Sequence, residues 1–358
     1  VRVSPWRKTA AAFAASKKPL PASTFWANKE ATMLAAFYEA NGAARDVLKV
    51  EQVDTVTPAE GQVRVRLRTS GVNPSDVKTR AGRIMKMAYP RVIPHSDGAG
   101  EIDAVGAGVA QSRVGERVWI WNAQWQRPFG SAAEYVVLPA EQAVPLPTHI
   151  GFDAGACLGI PALTAYHAVT MDGPVQGQTV LVSGGAGAVS HYAIQMAKAQ
   201  GAKVVTTVSS AEKAELVKAA GADCAINYKT EDVAACVKEF TQGRGVNRVL
   251  ELDIAVNAKL LPGVLAHRGK VVAYGTSGLE APIPAIFSLL NSIAIEFFLV
   301  YTLDANQRAA AVSGVNQMLE KNQLIHNIAA RLPLDRVIDA HEAVESGKTV
   351  GNVVLLID

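Results

Sequence analysis

After an apolar run ending at Val182, the sequence reads Gly184-Gly185-Ala186-Gly187-Ala188-Val189-Ser190 and then enters a helix-like stretch. Against the pattern G-x-G-x-x-G/A, Gly185 and Gly187 are in place and Ser190 holds the third position. The first glycine of such a loop permits a tight turn, the second lets backbone amides approach a pyrophosphate, and the third lets helix and strand pack closely. Serine is small enough for the last task. A helix N-terminus also favours an anion, because its first amides lack intrahelical acceptors. Nineteen residues beyond Ser190, a second strand pattern ends at Ser209, where binders of unphosphorylated dinucleotides present Asp or Glu to the ribose. This chain has Ser209-Ser210-Ala211-Glu212-Lys213 instead. Ser209, Ser210 and Lys213 suit a 2′-phosphate, for which a charge-assisted hydrogen bond gives roughly 1.5–3 kcal/mol, about one to two decades of preference. The expected cofactor is NADPH.

The elements that carry these residues follow from the pattern around them. Thr179–Ser183, Lys203–Val208, Ala225–Asn227, Arg248–Leu252 and Lys270–Tyr274 are short apolar runs, and each is followed by a helix-like segment. That alternation predicts right-handed βαβ crossovers and a doubly wound parallel sheet, an α/β fold. From Met33 to about Pro147 the sequence is mainly β: Val63-Arg64-Val65-Arg66-Leu67-Arg68 alternates apolar and basic, and Gly and Pro recur too closely for long helices. The tail from Leu303 holds a helix pattern, a second one over Leu334–Glu345 and a strand over Asn352–Ile357, and is expected to return to the first domain.

With 358 residues, 49% hydrophobic and 19% charged, the chain has length for two cores and is not a disordered tail. Its net charge of +3 is concentrated at the front. Six cations stand against Glu30 alone in residues 1–32, an excess of five, so the rest carries −2. The body has no basic field for nucleic acid or membrane, and neither is an expected partner. Residues 1–32 read as an extension, either upstream sequence or a basic, acid-poor leader. The longest apolar stretch, Ile286–Leu303, is broken by Asn291, Ser292 and Glu296, which argues against a transmembrane helix. Cys157, Cys224 and Cys236 read as reduced thiols in apolar, helix-like surroundings, in keeping with a cytoplasmic enzyme. No Ser-His-Asp or paired-carboxylate arrangement suggests hydrolysis.

Gly71-Val72-Asn73-Pro74-Ser75-Asp76, Ile93-Pro94-His95-Ser96-Asp97-Gly98-Ala99-Gly100, Gly159-Ile160-Pro161 with Thr164-Ala165-Tyr166, and the glycine loop together resemble the zeta-crystallin-like quinone oxidoreductases of the medium-chain dehydrogenase/reductase superfamily. The likeness runs from Met33 to the end. It implies a GroES-like distorted β-barrel over residues 33–158, a Rossmann dinucleotide-binding domain over 159–302, and a return to the catalytic domain over 303–358. Zinc-dependent members of the superfamily carry cysteine at the place of Asn73 and His-Glu at the place of Ser96-Asp97. A catalytic zinc needs about three protein ligands and a structural one about four cysteines, so no metal is expected. His95, His167 and His191 are read as structural.

By the same similarity, Asn73, Lys78 and Thr164 are the candidate catalytic residues. Asn73 is the expected donor near the nicotinamide, and Lys78 replaces a frequent tyrosine. Ala186, Gly187, Ala188 and Val189 are implied on the pyrophosphate, Tyr228 beside the adenosine phosphate and Asn257 near the ribose. Gly275 and Thr276 follow the fifth strand, and Phe297, Phe298 and Leu299 lie under the nicotinamide. Without a Lewis acid the acceptor must take reducing equivalents readily, which points to a small quinone first and a conjugated enone or alkenal second. A structural or RNA-binding role is the remaining alternative. The apolar segment Ile283–Val300 suggests a covered subunit edge and a homodimer.

Overall fold

The computed structural model describes residues 32–83 and 86–357. The expected N-terminal extension lies outside the described residues except for its last position. Fifteen strands are found among those described.

The first part builds the barrel. β1 (Thr32–Phe37) pairs antiparallel with β2 (Lys49–Asp54). β3 (Gln62–Val72), β4 (Asp97–Val105), β5 (Arg117–Ile120) and β7 (Ala143–Pro145) follow one another in an antiparallel sheet, and β6 (Tyr135–Pro139) pairs with the first half of β3. The alternation read over residues 63–68 is real: Val63, Val65 and Leu67 are buried while Arg64 and Arg66 point outward. Close packing at the turns and ladders demands glycine. A Cβ on Gly100 would stand 2.0 Å from the Arg66 carbonyl oxygen.

The second part is a six-stranded, wholly parallel sheet in the order β10-β9-β8-β11-β12-β13. These strands are β8 (Thr179–Val182), β9 (Lys203–Val208), β10 (Cys224–Asn227), β11 (Val246–Glu251), β12 (Leu265–Ala273) and β13 (Ala294–Phe297). The order reverses direction beside β8, which opens a crevice at the carboxyl ends of the strands. Helices cover both faces. The longer ones in the chain are α1 (Pro74–Arg80), α2 (Leu163–Thr170), α3 (Ala188–Ala199), α4 (Ala211–Ala219), α5 (Val233–Phe240), α6 (Ala285–Asn291), α7 (Ala305–Glu320) and α8 (Val337–Glu345). α7 packs against α2, placing Val315, Met318 and Leu319 in the same core as Leu163 and Val169. β14 (Ile328–Pro333) and β15 (Asn352–Leu356) then join the barrel sheet, with β15 antiparallel to β3.

One detail differs from the sequence reading. Cys224 opens strand β10 and does not lie on a helix; the three residues before the strand's end are too few for the period to separate the two. No helix among the described residues is long and apolar enough to cross a membrane.

Candidate active site

The glycine loop stands where β8 meets α3. Gly184 adopts a left-handed φ of 61°, and the Gly184 and Gly185 amides donate to the side chain and carbonyl of Thr207. A Cβ on Gly185 would lie 2.2 Å from the Thr206 hydroxyl, itself bonded to the Val182 carbonyl, so backbone would have to move. Gly187 caps α3 and closes the turn by donating to the Gly184 carbonyl. Ser190 is buried, and its hydroxyl donates to the Ser183 carbonyl at 2.8 Å and lies 3.0 Å from the Tyr274 hydroxyl. The small third residue thus ties helix to strand by a hydrogen bond. No acidic side chain stands in the first turn of α3, so its free amides face no built-in competitor for an anion.

At the tip of β9 the serines divide their tasks. Ser210 is the N-cap of α4 and accepts from the Lys213 amide. The Lys213 ammonium donates to Ser209 Oγ at 3.0 Å, so Ser209 and Lys213 form the polar pair. Lys213 lines a cavity of about 630 Å³ together with Glu212, Glu215, Asn327 and Val350. Tyr228 follows β10 and is half exposed, with its amide bonded to the Val208 carbonyl.

Farther along the carboxyl edge, Glu251 ends β11 at 1% exposure. It accepts from Ser183 Oγ at 2.6 Å, the Asp253 amide at 2.7 Å and Asn257 Nδ2 at 2.8 Å. The Asn257 amide is therefore fixed by Glu251. Gly275 packs so tightly under Leu252 that a Cβ would meet its carbonyl oxygen at 2.1 Å. Phe298 stacks edge-on against His167 with ring centroids 4.7 Å apart, whereas Phe297 and Leu299 are largely exposed.

The opposite wall comes from the barrel. Asn73 caps α1 and is buried; its Nδ2 donates to Asp97 Oδ2 at 2.8 Å and its backbone amide to Asp76 Oδ2 at 2.8 Å. Burial pushes the Asp76 carboxyl up to about 7 and the Asp97 carboxyl well above its ordinary value, the neighbouring Asp76 adding to the latter. Asn73 is thus clamped between two buried acids. Thr164 is buried on α2. Lys78 crosses the crevice, its ammonium donating to the Thr276 carbonyl at 3.2 Å.

Around the hinge of the two parts, Tyr301 stacks on Trp125 at 4.6 Å and shares a 2.9 Å hydrogen bond with Ser75. Arg308, pushed down to about 10 by burial, lies 4.4 Å over the Trp121 ring. Sequence reasoning missed Glu251, Tyr301, Trp125 and Arg308. Only Glu251 had a visible signal, an acid directly after the apolar pair Val249-Leu250.

The sequence-derived residues Gly185 to Val189, Ser209, Lys213, Tyr228, Asn257, Gly275, Thr276 and Phe298 all stand at or just past the carboxyl ends of the six parallel strands. The loop geometry suits a dinucleotide on physical grounds: a cradle that side chains would fill, a helix start without acids, and a cation at the ribose position. A zinc ion does not fit. Asn73 and Ser96 offer no thiolate or imidazole, Asn73 Nδ2 is a donor, and no three His, Cys, Asp or Glu side chains converge among the described residues. Elemental analysis by mass spectrometry is expected to give far less than one zinc per chain; stoichiometric zinc surviving a chelator would overturn this.

Two family models match the chain, the alcohol dehydrogenase GroES-like domain over residues 59–148 and the zinc-binding dehydrogenase over residues 188–316. A quinone oxidoreductase of Rattus norvegicus is 31% identical over 319 residues, covering 87% of this chain and 94% of its own length. A 2-haloacrylate reductase of a Burkholderia species is 30% identical over 320 residues, 86% of this chain and 94% of the relative. The structure of Escherichia coli quinone oxidoreductase complexed with NADPH superposes with a TM-score of 0.81 at 26% identity, over 91% of this chain and all of the other. Motifs, strand order and relatives agree, and the chain belongs to the medium-chain dehydrogenase/reductase superfamily and, within it, to the quinone oxidoreductase family.

Proposed function

We propose that the protein uses NADPH to reduce a small, electron-poor acceptor, a quinone before others, without a metal. The observation that carries this is the Lys213–Ser209 pair at the tip of β9, beside a glycine loop whose geometry admits a pyrophosphate. The E. coli quinone oxidoreductase bound to NADPH supports it. When bound, the nicotinamide supplies the two electrons that the acceptor takes up. The chain's own residues bind and orient. Gly185 to Val189 hold the pyrophosphate, and Ser209 with Lys213 holds the 2′-phosphate. Tyr228, Asn257, Gly275 and Thr276 would line the rest, and Phe297, Phe298 and Leu299 would supply apolar surface for the nicotinamide. On the barrel wall Lys78 is the cationic donor reaching the crevice and meets the oxygen on which negative charge develops. Asn73, with one amide hydrogen held by Asp97, shapes that wall together with Thr164 and keeps its second N–H to donate toward the acceptor.

The similarity to a 2-haloacrylate reductase favours a second reading, reduction of a conjugated carbon–carbon double bond. A panel of 1,4-benzoquinone, 9,10-phenanthrenequinone, trans-2-alkenals and simple aldehydes, run with NADPH and with NADH, separates the two. Highest kcat/KM with a quinone is expected; greater efficiency with alkenals than with every quinone reverses the order.

The working unit in this proposal is a homodimer. β13 is the free edge of the parallel sheet, and α6 beside it buries none of its residues, leaving Ile286, Leu289 and Leu290 more than 70% exposed. Such a patch fits a second copy of the same edge. Leu289→Glu is expected to halve the mass seen by light scattering after size exclusion. A wild-type chain that runs as a monomer would rule the dimer out.

A further inference from the structure

A second polar site lies at the amino ends of β8, β11 and β12, the edge of the sheet opposite the glycine loop. There Asp172, Gln178, Asn247, Arg248, Arg268 and Lys270 enclose a cavity of about 200 Å³. Every lining residue is polar, and three cations stand against one carboxylate. That carboxylate is already taken, since Lys270 Nζ lies 2.7 Å from Asp172 Oδ1.

Arg248 is 2% exposed and has no carboxylate hydrogen-bonded to it. Its Nη1 donates to the Val169 carbonyl at 2.7 Å and Nη2 to the Asp172 carbonyl at 3.4 Å, while Nε has no partner. A buried guanidinium hydrogen-bonded only to carbonyl oxygens, with the Asp172 carboxylate acting through its field while paired to Lys270, is undercompensated. The ladder breaks at the same place. Val246 pairs with Leu265 but Arg248 pairs with Lys270, so residues 266–269 are looped out. Within that loop Arg268 takes a φ of 59°, the left-handed region that an arginine occupies only at a cost. Its guanidinium lines the cavity and has no hydrogen-bond or ion-pair partner among the described residues. Asn247 Oδ1 accepts from the Thr179 amide, which leaves its Nδ2 as a further donor.

An irregular ladder, a strained arginine and an undercompensated buried cation thus converge on one small concavity whose missing component is negative charge. We propose that this cavity binds a small oxyanion of the phosphate or phosphomonoester class, at a site separate from the dinucleotide crevice. The volume lies below the roughly 300 Å³ at which pockets for larger organic ligands begin, which limits the bound portion to a single anionic group.

The test is thermal unfolding of the full chain in increasing potassium phosphate, with glycerol phosphate as a second arm and potassium chloride at matched ionic strength as reference. Wild type is expected to show a saturable upward shift with phosphate that chloride does not reproduce. Arg268→Gly, which suits the left-handed backbone and so preserves the fold, is expected to weaken that response by about tenfold or more in apparent affinity, and Lys270→Gln likewise. Phosphate drawn to Lys213 would persist in both variants, so the difference reads this cavity alone. An equal response to glycerol phosphate identifies the monoester group as the ligand; a response to inorganic phosphate only identifies the free ion. Identical phosphate shifts in wild type and Arg268→Gly, or a chloride series that matches phosphate, would overturn the proposal.

Discussion

Lys213→Glu is expected to lower the ratio of kcat/KM for NADPH over NADH by about one to two decades, with the quinone KM at saturating cofactor little changed. Lys213 is half-buried, and its ammonium reaches Ser209 Oγ across the first turn of α4. Removing it deletes a charge-assisted bond of roughly 1.5–3 kcal/mol to the 2′-phosphate. The new carboxylate adds repulsion toward that phosphate and can accept from a free ribose hydroxyl, so the two cofactors move in opposite directions. Glu212 and Glu215 already line the same cavity, which makes Lys213 the one side chain there that opposes their charge. Lys213→Gln should fall between wild type and glutamate, and the wild-type preference should shrink at high salt. Steady-state kinetics with both cofactors decide the matter: an unchanged ratio in the glutamate variant removes the basis for the NADPH assignment.

The parts of this molecule that sequence reasoning reached are those fixed by short-range chemistry. A glycine loop between an apolar strand and a helix must turn tightly, and the second strand tip must follow at a set distance, so Gly185, Gly187, Ser209 and Lys213 were legible. So was the division into a β-rich part and a βαβ part, because alternation and turn spacing are local. Asn73 shows where that reading stops. Family similarity suggests it as a donor facing the acceptor, but not that Asp97, 24 residues on, accepts one of its two amide hydrogens, a pairing set by long-range packing. Ser210 suggested a phosphate contact, and the structure gives its oxygen a second task, accepting from the Lys213 amide at the helix start while its O–H stays available to donate. Tyr301 meets Trp125, and Arg308 meets Trp121, only because the chain crosses between the two parts near Val300, contacts no local period encodes.

The same long-range packing creates a weakness to acid. His341, on α8, is fully buried, with its ring stacked 5.1 Å from that of His95 and the two Nε2 atoms 2.9 Å apart. His95 Nδ1 in turn lies 2.9 Å from Ser70 Oγ, and Ser70 shares a 2.9 Å bond with Ser131. One proton serves the shared Nε2 contact, and His341 Nδ1 has no partner. Burial, followed by the Arg80 guanidinium of α1, pushes His341 down to about 3, and burial together with His341 holds His95 well below its ordinary value. Both bases bind protons less readily in the native state than in the unfolded one. Their cost to stability is absent above about pH 6.5 and grows as pH falls from there toward 3. For His341 alone this amounts to about 2 kcal/mol between pH 8 and pH 5. Asp76 and Asp97, with raised values, act in the opposite sense and gain on acidification, so the wild-type profile mixes the two. A difference between two proteins removes the carboxylates from the comparison. His341→Gln keeps an amide near His95 Nε2 but cannot titrate, and in urea unfolding it should start somewhat less stable than wild type at pH 8. By pH 5 the gap should have moved about 2 kcal/mol in its favour, with relief of His95 adding to the change. Parallel stability profiles for the two proteins across that interval would show that the imidazole pair does not set the acid limit.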